Sequence, residues 1–167
     1  MKINKKISLL AVLFFTILCT LSAQSKKEAK AQKEQAIREI IESENYKIDV
    51  TTAYPRRGRM ITLSSPYSLE IRNDSVFSYL PYFGRAYSIP YGGGQGLMFK
   101  VPIEKYEMVY DKRGVARAKL TARSIDDRVN FGITIFSNGS SNIDVNMQQR
   151  ESINFAGELY VPDKAKK

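Results

Sequence analysis

The chain has few of the side chains that most enzymes use for chemistry. Its 167 residues include no histidine and no tryptophan, and the one cysteine is Cys19, close to the N-terminus. Without histidine, the Ser-His-Asp triad and histidine general-base mechanisms are excluded. Once the N-terminal segment is removed, no thiol remains for nucleophilic catalysis, a cysteine metal site or a disulfide. We therefore expect no catalytic residue, no cofactor and no metal, and favour a role other than catalysis.

The N-terminus has the three parts of a secretory signal peptide. Lys2, Lys5 and Lys6 precede an almost wholly apolar stretch at residues 7–21, and Ala23 supplies the small residue at which a signal peptidase cuts. The pattern predicts a signal peptide over residues 1–23 and an exported, periplasmic or extracellular mature chain.

No stretch of the mature chain is predicted to span a membrane. The N-terminal apolar stretch of about 15 residues is shorter than the roughly 20 that a transmembrane helix needs, and no later stretch matches it. Lipid attachment at Cys19 would require a small residue before it, but Leu18 is bulky. We expect the mature protein to be soluble rather than anchored.

The net charge of +9 is modest once the signal peptide is removed, because three lysines leave with it. No nucleic-acid-binding motif is present, and an exported protein does not meet nucleic acid, so we expect no such partner. The remaining positive charge fits either a solubilising surface or weak attraction to anionic lipid or lipopolysaccharide phosphates.

One helix is predicted over residues 25–44, where alanine, lysine, glutamate and glutamine dominate. Ala36, Ile37, Ile40 and Ile41 follow helical spacing and form an apolar stripe on its C-terminal half. The first half is polar all round, so we expect it to be solvated.

From Tyr46 onward the apolar residues alternate with polar ones, which is typical of strands. Tyr67–Arg72 and Ser75–Leu80 are predicted to form a hairpin, and Asn138-Gly139 is a strong two-residue turn signal. A strand from Met60 is expected to end at Pro66. The pattern predicts a mainly β (α+β) fold with about eight or nine antiparallel strands. A sandwich, a partly open barrel and a curved sheet packed on the helix all remain compatible.

These elements divide the chain into four parts. They are the signal peptide at 1–23, the N-terminal helix with a solvated leader at 24–46, the antiparallel β domain at 47–162 and a basic tail at 163–167.

The segment between residues 79 and 99 is the candidate ligand-binding site, because it concentrates aromatic residues, glycines and one arginine. Glycine allows a backbone to approach a ligand, tyrosine offers a flat apolar face, and arginine holds a carboxylate or phosphate. The alternative is structural, with Tyr82, Phe83 and Tyr87 plugging one end of the sheet. The candidate binding residues are Tyr79, Tyr82, Phe83, Arg85, Tyr87 and Tyr91.

The same segment carries a resemblance to a known family. The run Tyr79-Leu80-Pro81-Tyr82-Phe83-Gly84-Arg85-Ala86-Tyr87, followed by Pro90-Tyr91-Gly92-Gly93, resembles small exported proteins of unknown function from Bacteroidetes-type bacteria. The resemblance implies export and a single domain, and it brings no activity.

Three functions remain open from the sequence. The first is a non-enzymatic exported domain that binds an envelope protein, glycan or lipid component through residues 79–99. The second is a glycan hydrolase that needs neither histidine nor cysteine, and the third is a structural envelope assembly protein. Asp126-Asp127 is not a favoured catalytic pair, because both carboxylates are expected to be solvated in a turn.

Overall fold

The structure, a computed structural model, describes residues 28–87 and 96–162. Outside these residues lie the predicted signal peptide, Tyr91, the glycines at 92–94 and the basic tail at 163–167. One helix, α1, spans residues 28–42. The strands are β1 (Tyr46–Pro55), β2 (Ile61–Arg72), β3 (Ser75–Leu80), β4 (Leu97–Tyr110), β5 (Ala116–Arg123), β6 (Arg128–Ile135), β7 (Ser140–Met147) and β8 (Ile153–Leu159).

The eight strands form a closed antiparallel barrel in which each strand pairs with its neighbours in sequence. The barrel closes where β8 pairs with β1, from Ile48 opposite Leu159 to Pro55 opposite Ile153. The prediction of a mainly antiparallel sheet with one N-terminal helix is confirmed, and the structure adds the closure. A pairing between the first and last strands leaves no local signal in the sequence.

The β2–β3 hairpin forms as predicted, with Arg72 opposite Ser75 and Ser68 opposite Tyr79. Asn73 and Asp74 connect the strands with φ angles of 49° and 55°. Positive φ at both central residues matches the right-handed twist of the paired strands. The turn therefore sets which residues of β2 and β3 lie opposite each other.

Pro66 does not end a strand, so that prediction is wrong. The pairing of β1 with β2 jumps from Val50 opposite Tyr67 to Thr52 opposite Thr62, which leaves residues 63–66 in an irregular bulge. A bulge removes the requirement for a ladder hydrogen bond, so proline is tolerated there. The chain can therefore continue through Pro66 and resume pairing at Tyr67.

Apolar side chains fill the barrel interior. Phe131 on β6 and Phe155 on β8 are among the largest fully buried residues, and β5 contributes the small Ala116, Ala118 and Ala122. Eight strands enclose a space that side chains can fill, and large residues opposite small ones fit it. The interior is a packed core, which leaves the outer face and the two ends of the barrel for a ligand site.

Helix α1 packs against one end of the barrel, which we call the helix end. Ile37 and Ile41 are buried in the core, whereas residues 28–33 are exposed. The Arg38 guanidinium lies 4.8 Å from the centre of the Tyr110 ring. The opposite end, which we call the loop end, consists of the β1–β2, β3–β4, β5–β6 and β7–β8 connections. The helix therefore leaves the loop end uncovered.

Two tyrosines contact each other at the helix end. The hydroxyls of Tyr46 and Tyr106 lie 3.3 Å apart, and burial raises the pKa of Tyr46 well above its ordinary value. Burial also raises the pKa of Tyr106. Both phenols therefore remain neutral, which suits their place beside an apolar core.

Gly157 on β8 allows the closest approach of β8 to β1. A Cβ atom built on it would overlap the carbonyl oxygen of Asp49. We expect Gly157→Ala to lower the free energy of unfolding by about 3 kcal/mol or more, because backbone must move to relieve the overlap. Chemical denaturation of both proteins measures the difference.

Gly132→Ala on β6 is the matched control. A Cβ there would meet its nearest atom at 3.6 Å, an ordinary contact. Equal stability of the two variants would contradict the role given to Gly157.

Candidate functional site at the loop end of the barrel

The structure divides the candidate residues between two places. Tyr79 lies on the outer face of β3, where its ring stacks on Tyr67 with centroids 5.5 Å apart. Tyr82, Phe83, Arg85 and Tyr87 lie on the connection after β3, at the loop end. Tyr91 lies outside the described residues.

Residues 82–87 are fixed against the β7–β8 connection by backbone hydrogen bonds. The Tyr87 N–H donates to the Gln149 carbonyl at 2.7 Å, and the Glu151 N–H donates to the Arg85 carbonyl at 3.0 Å. Ala86 and Arg150 form an isolated antiparallel bridge between these contacts. The segment therefore has a defined backbone at the loop end.

Tyr82 fastens this segment to the barrel. Its hydroxyl lies 2.9 Å from the Arg85 carbonyl oxygen and 3.0 Å from that of Glu151, and it donates to these acceptors. Burial, followed by the charge of Glu151, raises the pKa of Tyr82, so the phenol keeps its proton. Gly84 accommodates the ring, because a Cβ there would lie 2.5 Å from the hydroxyl oxygen. Tyr82 thus has the structural role that the sequence left as an alternative.

Tyr87 has a different environment, since 65% of its surface is exposed. The structural alternative places Tyr87 with Tyr82 and Phe83 as a plug at one end of the sheet, but Tyr87 does not fill the barrel end. Phe83 is half-buried, and Arg85 is exposed.

Asp127 is buried, which corrects the expectation that both aspartates of the β5–β6 turn are solvated. Its carboxylate accepts hydrogen bonds from the backbone N–H groups of Gln148 at 3.0 Å and Gln149 at 2.9 Å. Asp126 lies 3.4 Å from the guanidinium of the buried Arg150. The groups that bury these carboxylates come from a connection twenty residues later, so the local sequence indicates only a turn.

A cleft of about 510 Å³ opens between the β1–β2 connection and residues 83–85. Its polar groups are three arginines and one glutamate, and its apolar contacts include Ile61 and Phe83. The lining residues are Pro55, Arg57, Gly58, Arg59, Ile61, Phe83, Gly84, Arg85 and Glu151. Among the candidate binding residues predicted from the sequence, Arg85 is the charged one that lines this cleft.

Glu151 is the one acidic residue of this cleft. Its carboxylate lies 3.4 Å from Arg57 Nε, and its side chain is only 6% exposed. In the described ranges, neither Arg59 nor Arg85 forms an ion pair. The cleft therefore holds one paired arginine and two guanidiniums available to an anion.

Sequence reasoning missed Arg57, Arg59 and Glu151 as members of a site. The run Pro55-Arg56-Arg57-Gly58 indicates a turn, and only the concentration of arginines at 56–59 hints at more. Glu151 gives no signal, because its ion-pair partner Arg57 lies on a distant connection of the chain.

The described part of the chain contains no cluster of three or more acidic, histidine or cysteine side chains able to hold a metal ion. No helix within the described ranges is both long enough and apolar enough to cross a bilayer.

Comparison with known families identifies the domain. The sequence model of a family described as a domain of unknown function, DUF4251, matches residues 28–159. The chain belongs to the DUF4251 family. The resemblance to a family without a known activity is thereby confirmed, whereas export stays a prediction.

A solved structure supports the fold of this DUF4251 domain. It is the crystal structure of a DUF4251 family protein from Bacteroides eggerthii DSM 20697, with a TM-score of 0.62 and 13% sequence identity. The match covers 79% of this chain and 89% of that one. At this identity the likeness concerns the fold alone. No curated protein matches the chain.

The hydrogen bonds of the Tyr82 hydroxyl predict that its removal lowers the stability of the folded protein. We expect Tyr82→Phe to lower the free energy of unfolding by about 1–2 kcal/mol, because the Arg85 and Glu151 carbonyls lose their shared donor. Urea denaturation measures the change. Tyr79→Phe is the control, since that side chain is 48% exposed, and it should leave stability unchanged. Equal effects of both changes would show that the Tyr82 hydroxyl does not fasten the segment.

Proposed function

We propose that this DUF4251 domain is an exported, non-enzymatic binding domain that holds an anionic group of an envelope component in the loop-end cleft. The observation that carries the proposal is the placement of Arg57, Arg59 and Arg85 around one cleft whose single carboxylate is already paired. The bound group is a phosphate or a carboxylate.

The chemistry of the guanidinium group supports this assignment. Arginine presents planar, paired N–H donors that match carboxylate and phosphate oxygens, and it stays charged at any pH that a protein meets. Glu151 orients Arg57 from a buried position, whereas Arg59 and Arg85 are exposed. An anion in the cleft would contact the two exposed guanidiniums without first breaking the Arg57–Glu151 pair.

The hydrolase alternative has less support at this site. Hydrolysis of a glycosidic bond ordinarily uses two carboxyl groups placed on either side of the scissile bond. Glu151 is the one carboxylate that lines the cleft, and Arg57 is its partner. The described lining therefore favours binding over hydrolysis.

Anion binding can be tested with inorganic phosphate and with succinate as simple probes. We expect a saturable rise in the melting temperature of the wild-type protein, since a ligand that binds the folded state stabilises it. The double variant Arg59→Ala/Arg85→Ala should lose this rise, because each lost charge-assisted hydrogen bond weakens binding about tenfold or more.

The matched control removes two exposed arginines at the helix end, in the variant Arg113→Ala/Arg117→Ala. It carries the same change in net charge and should respond to the anions as the wild type does. A rise of equal size in all three proteins would mean that the ions act on the general surface, and no saturable rise would contradict the proposal.

Export has its own test. Residues 1–23 carry the pattern of a cleaved signal, so mass spectrometry of the protein from its native host should find a mature chain beginning at Gln24. Replacing Leu13 with arginine should interrupt the apolar stretch and retain the full-length chain in the cytoplasm. An intact N-terminus on the wild-type protein would contradict export by this route.

A further inference from the structure

We infer that the loop-end cleft and the stacked pair Tyr67–Tyr79 form one surface that binds an acidic glycan chain. The inference rests on the proposed function, because it assigns the ligand class of the same cleft. It adds the tyrosine pair as the place where sugar rings bind.

The tyrosine pair places one exposed aromatic ring, that of Tyr79, on the barrel wall, and Tyr67 supports it from a half-buried position against the core. The two rings lie 5.5 Å apart with 30° between their planes, and Tyr79 is 48% exposed. Stacking holds each ring against the other and reduces its rotational freedom. A rigid aromatic face with a polar tip suits a ligand that presents both apolar C–H groups and hydroxyls, as a sugar ring does.

The pair lies close to the cleft along the chain. Tyr79 precedes Phe83 by four residues, so their Cα atoms are separated by at most about 14 Å. The second ring is carried by the strand that begins at the cleft, since β2 runs from Ile61 to Arg72 through Tyr67. Two chain segments therefore connect the tyrosine pair to the cleft, and one extended ligand can reach both.

Positive charge continues on the other side of the pair. The Phe77 ring, also on β3, has the Arg72 guanidinium 4.8 Å and the Lys100 ammonium 4.7 Å from its centre. The exposed Tyr79 thus lies between this cationic group on the wall and the arginines of the cleft. This order of charge, aromatic surface and charge is complementary to a chain of sugar rings that carries anionic groups.

A chain-like ligand fits this layout better than a lipid bilayer does. The cleft opens at the end of the barrel, whereas the tyrosine pair lies on its wall, so the surface turns a corner. A flexible glycan can follow that corner with its acidic groups on Arg59 and Arg85 and a ring on Tyr79. A bilayer would contact one side and leave the other without a ligand.

The test compares five probes by calorimetry: hexagalacturonic acid, a mannose oligosaccharide bearing 6-phosphate groups, neutral maltohexaose, inorganic phosphate and phosphatidylglycerol vesicles. We expect at least one acidic oligosaccharide to bind wild type at least tenfold more tightly than maltohexaose. Tyr79→Ala should weaken that binding about tenfold and leave inorganic phosphate binding unchanged. Tyr79→Phe should bind as wild type does, because it keeps the ring.

Tyr160→Ala removes another half-exposed tyrosine away from this surface and should bind as wild type does. Equal binding of the acidic oligosaccharide by Tyr79→Ala and wild type would overturn the inference. So would the failure of both acidic oligosaccharides to bind, and binding of phosphatidylglycerol vesicles in that case would point to a lipid surface instead. In both cases phosphate binding that depends on Arg59 and Arg85 would leave the proposed function standing. If no anion binds, the proposed function itself fails.

Discussion

The hydrogen-bonded pairing of β8 with β1 is the contact on which the rest of the structure depends. It joins residues 48–55 to residues 153–159 and converts a meander of neighbouring strands into a barrel without open edges. Unpaired edges would otherwise expose two rows of backbone donors and acceptors. Closure also brings the β7–β8 connection beside the β1–β2 connection, so the Arg57–Glu151 pair and the cleft around it depend on this closure.

Much of the barrel could be predicted from the sequence because its signals are local. The alternation of apolar and polar residues predicts that Ile143 and Val145 on β7 face the barrel interior, and both are fully buried. The stripe on α1 correctly includes Ile37 and Ile41, which reach the core. Asn138-Gly139 marks the hairpin between β6 and β7, but the predicted two-residue turn is wrong, because the connection is residues 136–139. Gly139 has the positive φ of 94° that this longer turn requires, whereas Asn138 does not have a positive φ.

The features that sequence reasoning missed involve partners distant in the chain. The local sequence predicts that Pro66 ends a strand. The bulge that accommodates it is visible only in the register of β2 against β1. The local sequence predicts that Asp127 is solvated, because the backbone amides that bind its carboxylate belong to the distant β7–β8 connection. The cleft combines arginines from two connections with a glutamate from a third, and no spacing within any one of them predicts that meeting.

The tyrosines at the helix end give the molecule an intrinsic optical reporter. The chain has no tryptophan, so its near-ultraviolet absorbance and fluorescence are dominated by tyrosine. Tyr46 and Tyr106 share a partly buried contact in which both phenols resist ionisation, and α1 leads directly into the strand that carries Tyr46. Tyr110, on the same strand as Tyr106, lies against Arg38 of α1. Displacement of the helix would expose that ring and change the tyrosine spectrum, so the barrel can report the docking of its own helix without an added label.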